Sequence, residues 1–193
     1  MSPLSEDEQR TLLGLARRAI VEAVMHGRVL EEELPGGALA RRAGAFVTLH
    51  HRGSLRGCIG RVEAEESLAD TVVRCAISAA LQDPRFAPVR HDELDGLEIE
   101  ISILTPPVAI LPGEIEVGRH GLIVSRGAFR GLLLPQVAVE HGLTPERFLE
   151  EACRKAGLLP GAWRDPETEI CAFTCEVFAE KESGTSCPPL SKE

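Results

Sequence analysis

The sequence predicts an α+β domain made by internal duplication: two strand-strand-helix-strand halves, preceded by an N-terminal helix. Two observations predict it. Arg52-Gly53-Ser54-Leu55-Arg56-Gly57 reappears 74 residues later as Arg126-Gly127-Ala128-Phe129-Arg130-Gly131. The apolar periodicities around each copy also follow one order, two runs at strand spacing, one at helix spacing, then a strand again. The same ungapped offset lays Ile99, Ile101 and Ile103 on Phe173, Cys175 and Val177. A period this long exceeds a solenoid unit, so two pseudo-equivalent halves of one domain are expected.

The first element is a helix over residues 6–26. Ser5 and Glu8 have capping-box spacing, Leu12, Leu13, Ala16, Ala19, Ile20, Ala23 and Val24 form one stripe, and Gly27 suits the C-terminal cap. Runs at 45–49 and 55–59 are strand-like and joined by a glycine-containing turn, a hairpin. A second helix starts at Ser67, shows an apolar face of Leu68, Val72, Cys75, Ala76 and Ala79, and ends before Pro84. Residues 97–104 alternate as a half-buried strand that Pro106-Pro107 stops. In the second half, 122–125 and 131–134 form the strand pair. Thr144-Pro145 opens a helix with the stripe Phe148, Leu149, Ala152, Cys153 and Ala156, and 171–178 is the last strand. One domain over residues 1–181 results, with pseudo-repeats at about 44–105 and 118–179, and residues 182–193 read as a disordered tail.

Composition narrows the function. Thirty acids against 21 bases leave a formal charge of −9, which argues against a general nucleic-acid or anionic-membrane binder. Aromatics are 4% and tyrosine is absent, so a base-stacking platform is not expected. No apolar run reaches the length of a membrane span, and the first residues lack the pattern of a signal peptide, so a cytoplasmic protein is expected. The charge is uneven, however. Residues 41–61 and 117–139 together carry eight arginines and no acid. Such clusters attract a small anionic ligand even on an acidic chain.

At Leu55-Arg56-Gly57-Cys58-Ile59-Gly60 the chain resembles the AMMECR-type domain family, whose hallmark is L-R-G-C-I-G. Asp83-Pro84-Arg85-Phe86-Ala87-Pro88, Leu97-Glu98-Ile99-Glu100-Ile101-Ser102 and Leu132-Leu133-Leu134-Pro135-Gln136-Val137 agree in order. So do Phe148-Leu149, Cys153-Arg154-Lys155-Ala156-Gly157-Leu158 and Trp163, so that the resemblance spans roughly residues 8–179. It implies an α+β fold with two swapped repeats and an added N-terminal helix. In bacteria and archaea such proteins look like the first component of a three-part AmmeMemoRadiSam system, with a Memo-like protein and a radical S-adenosylmethionine enzyme as partners. The family brings no established reaction, cofactor or catalytic residue, so chemistry must be argued from the side chains.

Cys58 is the sharpest candidate. Glycines flank it, Arg56 and Arg61 are close in sequence, and His50 and His51 lie on the same hairpin. Positive charge favours a thiolate and flanking glycines admit a ligand, so Cys58 suits a nucleophile or a covalent carrier. The alternative is a small apolar residue in the core, and its repeat equivalent, Leu132, is of that type. Arg56 and Arg130 occupy equivalent positions and would suit a carboxylate or phosphate, or would each pair with an acid of their own structure. Asp83 and Arg85 flank Pro84 as an acid–base pair that orients a ligand or fixes a loop. Glu98 and Glu100 share one face of their strand, opposite Ile99 and Ile101. His120, between Arg119 and Gly121, is a further candidate ligand-binding residue. No C-x-x-C pair, histidine-rich set or glycine-rich phosphate motif is present, so neither a metal nor a cofactor is expected. Whether the chain is an enzyme or a non-catalytic scaffold stays open at this level.

Overall fold

The computed structural model of the chain describes residues 3–63 and 65–180. Helix α1 spans Glu6–His26, and its start follows from its cap. The Ser5 side chain accepts the Glu8 N–H while the Glu8 carboxylate accepts the Ser5 N–H, and Gly27 closes the helix in the left-handed region at φ 64°. Strands β1 (Ala45–His51) and β2 (Ser54–Arg61) form a hairpin whose two-residue turn, Arg52-Gly53, has positive φ at both positions. Helix α2 (Leu68–Leu81) is capped by Ser67, and β3 covers Leu97–Leu104.

The second half repeats this plan. Strands β5 (Gly121–Arg126) and β6 (Phe129–Leu133) form the second hairpin, after the two-residue strand β4 (Val108–Ala109). A short α3 (Pro135–Glu140) precedes α4 (Pro145–Lys155), followed by β7 (Glu169–Phe173) and β8 (Cys175–Ala179). Both four-stranded sheets are antiparallel, in the orders β2-β1-β3-β8 and β4-β7-β5-β6. The molecule is thus α+β, as its periodicities predict.

Each sheet buries one face under helices. Val47, Leu49, Ile99, Ile101 and Ile103 pack with Leu12, Ile20, Leu68, Val72 and Ala76 of α1 and α2. In the other half Leu122, Val124 and Ala172 pack with Phe148, Leu149, Ala152 and Cys153 of α4. The opposite faces meet through a third cluster of Leu104, Ile123 and Phe173, flanked by Phe46, Leu132, Cys171 and Cys175. At about 25 cal/mol per Å² of apolar surface, residues as fully enclosed as Phe148 and Ile101 each contribute on the order of 2 kcal/mol.

One expected strand, 171–178, divides. Its first part joins the second sheet as β7 and its second part crosses to the first sheet as β8, with Thr174 at the crossing. The opposing segment crosses in the other direction, from β3 to β4. The rung Leu104–Cys175 closes one sheet, Val108–Ala172 opens the other, and the Thr105 N–H donates to the Thr174 carbonyl between them. Pro106-Pro107 lies at this break because proline carries no N–H for the ladder. The ungapped offset also slips here. Val47 pairs with Ile101 and Leu122 with Ala172, and Ile99 and Ile101 share their helix-covered role with Ile170 and Ala172 rather than with Phe173 and Cys175. The causes are a β-bulge between Leu49 and His50 and a shorter helix-to-strand connection in the second half. The expected tail, 182–193, lies outside the described residues.

Candidate functional site

The site forms where the first hairpin reaches the sheet edge. Strand β2 is an edge strand, and Cys58 opposes Thr48 of β1. An edge strand leaves every second N–H and C=O without a sheet partner, so the loop after α2 supplies them. The Cys58 N–H donates to Asp83 Oδ2 at 2.8 Å, and the Cys58 carbonyl accepts from Arg85 Nη2 at 3.3 Å. Asp83 and Arg85 are themselves joined in a fork, Nε to Oδ1 at 2.9 Å and Nη2 to Oδ2 at 2.7 Å. The Asp83 side chain is 2% exposed and that of Arg85 55%, so the pair is a buried anion under a solvent-facing cation. The fork holds the Asp83 carboxyl well below the usual carboxylate range, and the backbone N–H groups of Cys58 and Arg85 add to this.

Beside this clamp Arg56 grips the same loop. Its Nε and Nη2 donate to the two Glu93 oxygens at 2.8 and 3.0 Å, and its Nη groups reach the Ala87 and Pro88 carbonyls at 2.8 and 3.3 Å. Its side chain is 15% exposed, and its fork is committed within the chain. Glu93 is held down at about 2 by Arg56 first and by the Arg90 backbone N–H next. A carboxylate whose folded-state value is depressed stabilises fully above its unfolded value and loses that contribution as pH falls toward the folded one. Unfolding free energy is therefore expected to decline between about pH 4.5 and pH 2, Glu93 supplying no more than about 3 kcal/mol of the drop. Urea titrations at pH 5, 3 and 2 check this, and in Arg56→Met the Glu93 share of the slope shrinks to the part that the Arg90 N–H supplies.

The Cys58 side chain lies on the sheet face away from the helices. Gly57 faces α2 closely enough that a Cβ would stand 2.2 Å from the Ala79 carbonyl oxygen, and alternation turns Cys58 the other way. On that face the Thr48 hydroxyl donates to the Cys58 sulfur at 3.3 Å. The register places Glu100 beside Thr48 and Glu98 beside His50, so thiol, hydroxyl, imidazole and two carboxylates share one face. Two rungs inward, on the same face, lie Phe46 and Gly60, where the apolar seam between the sheets begins. The face therefore passes from an apolar floor to a polar mouth within two rungs.

Cys58 is half-buried. Burial pushes the Cys75 thiol up to about 11 and the Cys175 thiol up to about 12, and raises Cys153 as well. Those three are held as neutral thiols. Cys171 packs against the inter-sheet cluster.

The remaining candidates have separate contacts. Arg130 Nη1 pairs with Glu63 at 2.5 Å, and His120 Nδ1 accepts the Glu116 backbone N–H at 3.1 Å in the loop before β5. Cys58, Asp83 and Arg85 are brought into direct contact, with Arg56 fastening the same loop. Thr48 and Glu93 were not among the residues that sequence reasoning singled out. Counting outward from the turn without the bulge sets Thr48 against Gly57, so no local signal marks it. Among the described residues no group of three or more His, Cys, Asp or Glu is placed to hold a metal ion, and no helix is long and apolar enough to cross a membrane.

The AMMECR1 family profile matches residues 13–178. A protein of Methanothermobacter thermautotrophicus is 47% identical over 188 residues, covering 93% of this chain and 97% of that one. Protein TK0174 of Thermococcus kodakarensis is 45% identical over 183 residues, covering 88% and 89%. The crystal structure of uncharacterised protein PH0010 from Pyrococcus horikoshii is similar with a TM-score of 0.86 at 42% identity, over 92% of this chain and 94% of that one.

Proposed function

The chain belongs to the AMMECR1 family, and from that premise we propose that its polar sheet face binds a small anionic ligand with Cys58 as the reactive thiol. The supporting observation is the placement of Cys58. It is a half-buried cysteine whose main chain is fixed on both sides by the Asp83–Arg85 fork, with a hydroxyl donor on its sulfur and His50 on the same face. A fixed backbone presents the sulfur in one orientation, and the Phe46 ring, which fills the space over Gly60, bounds this face on its inner side. Arg85 keeps its Nη1 without a hydrogen bond among the described residues and supplies the cation for an anionic group. Arg56 and Asp83 position the loop and the strand. In this reading the protein is an accessory or enzymatic component that works with a Memo-like protein and a radical S-adenosylmethionine enzyme.

A second reading has an observation in its favour. Arg56, Asp83 and Arg85 all spend hydrogen bonds on closing the sheet edge, which suits a non-catalytic scaffold whose L-R-G-C-I-G motif is structural. Alkylation separates the two. With iodoacetamide on the folded protein, Cys58 is expected to be labelled at least tenfold faster than Cys75 and Cys153, mapped by peptide mass. Labelling of Cys58 only after unfolding overturns the reactive-thiol reading. Loss of turnover in Cys58→Ser at unchanged stability overturns the scaffold.

A further inference from the structure

The two halves differ in what covers their outer helix. In the first half α1 lies on α2, and Ile77, Ala80 and Leu81 of α2 pack into the first core. At the 74-residue offset the second half has Glu151, Arg154 and Lys155 on α4. These residues line a cavity of about 520 Å³ between α3 and α4. Its apolar wall is Leu133, Val137 and Leu143, and His141 completes the polar rim. The volume falls in the range of small-molecule sites, and the half-open lining sets three apolar side chains beside four polar or charged ones.

The charges of this rim are unequal in availability. Arg154 is tied to Glu151 and lies 4.0 Å from Glu150. Lys155 has neither an ion pair nor a hydrogen bond among the described residues. It is also the only lysine among them, in a chain of 18 arginines and three lysines. An ammonium on a flexible aliphatic stem lays its methylenes along an apolar wall and delivers one point charge at the rim. We propose that this cavity binds a small carboxylate with a short aliphatic body, the carboxylate on Lys155 and the chain against Leu133, Val137 and Leu143. The site is independent of Cys58, which lies on the other sheet.

The test is a titration of the isotopically labelled full chain with butanoate, hexanoate and 1-hexanol, read by backbone amide shifts. Saturable shifts are expected in α3 and α4, with hexanoate tighter than butanoate by roughly fifteenfold, about fourfold for each added methylene. Hexanol is expected to bind at least fivefold more weakly than hexanoate. Lys155→Met should weaken hexanoate by at least fivefold, and Lys155→Arg should retain it. Lys155 is exposed, so both variants are expected to fold, and their amide spectra verify it. Shifts absent, or confined to the Cys58 hairpin, overturn the proposal. So do equal affinities for hexanol and hexanoate, or unchanged binding in Lys155→Met.

Discussion

Gly57→Ala is expected to destabilise the protein by about 3 kcal/mol, at the upper end of the range for overpacking, and to lower Tm by about 10 °C. A Cβ at this position would stand 2.2 Å from the Ala79 carbonyl oxygen and 3.1 Å from its carbon. The obstruction is helix backbone, not the far end of a flexible side chain, so relief requires α2 to move off β2. That movement would carry the loop after α2, and with it Asp83 and Arg85, away from the Cys58 main chain. Loss of stability and faster alkylation of Cys58 are therefore expected together. Gly131 meets the same obstacle in the second half, 2.3 Å from the Ala156 nitrogen, and Gly131→Ala is expected to cost a similar amount. Gly36 provides the control. It has φ −80° and open space where a Cβ would be, so Gly36→Ala should stay within about 0.5 kcal/mol of the parent. Urea midpoints at constant m separate these outcomes. A Gly57→Ala protein as stable as Gly36→Ala would show that the close approach of α2 to β2 is not what holds this hairpin.

Much of the fold can be read in the residues because its signals are local. The Ser5 and Glu8 pair, the apolar stripe and Gly27 mark both ends of α1, and the alternation at 97–104 marks β3. The exchange of β4 and β8 between sheets leaves no such mark. A period of two records which face of a strand is buried and says nothing about which sheet it joins, so 171–178 reads as one strand. The bulge between Leu49 and His50 is equally silent, and it alone shifts Thr48 from Gly57 to Cys58. Six-residue α3 is too short for its periodicity to register. The site divides in the same way. Cys58, Asp83, Arg85 and Arg56 are prominent by type and spacing. That Asp83 caps a strand edge 25 residues back, and that Glu93 receives Arg56, depends on a loop path no local pattern encodes.

Asp83→Ala is expected to cost about 3 kcal/mol, because it leaves two groups uncompensated at once. The Cys58 N–H loses its acceptor in a sheet edge closed to water, a penalty of about 1–3 kcal/mol, and the Arg85 fork loses its carboxylate. Asp83→Asn tests which loss matters more. Its amide oxygen can still accept the Cys58 N–H, but its NH2 then confronts the Arg85 donors, so it should recover only part of the stability. Arg85→Met alone should cost less than Asp83→Ala, since Arg85 is half exposed and water takes over its contacts. A double-mutant cycle of Asp83→Ala with Arg85→Met should give a coupling of at least about 1 kcal/mol, as the second deletion removes a cation already stripped of its partner. The acid limb of stability supplies an independent reading. Asp83 is depressed in the folded state, so its contribution is complete above about pH 4 and fades as pH falls, and Asp83→Asn should flatten that limb. The same variant bears on function. If the clamp exists to present the sulfur, Asp83→Asn should change the alkylation rate of Cys58 by more than its loss of global stability accounts for. If the clamp only closes the sheet edge, rate and stability should move together, and the scaffold reading gains.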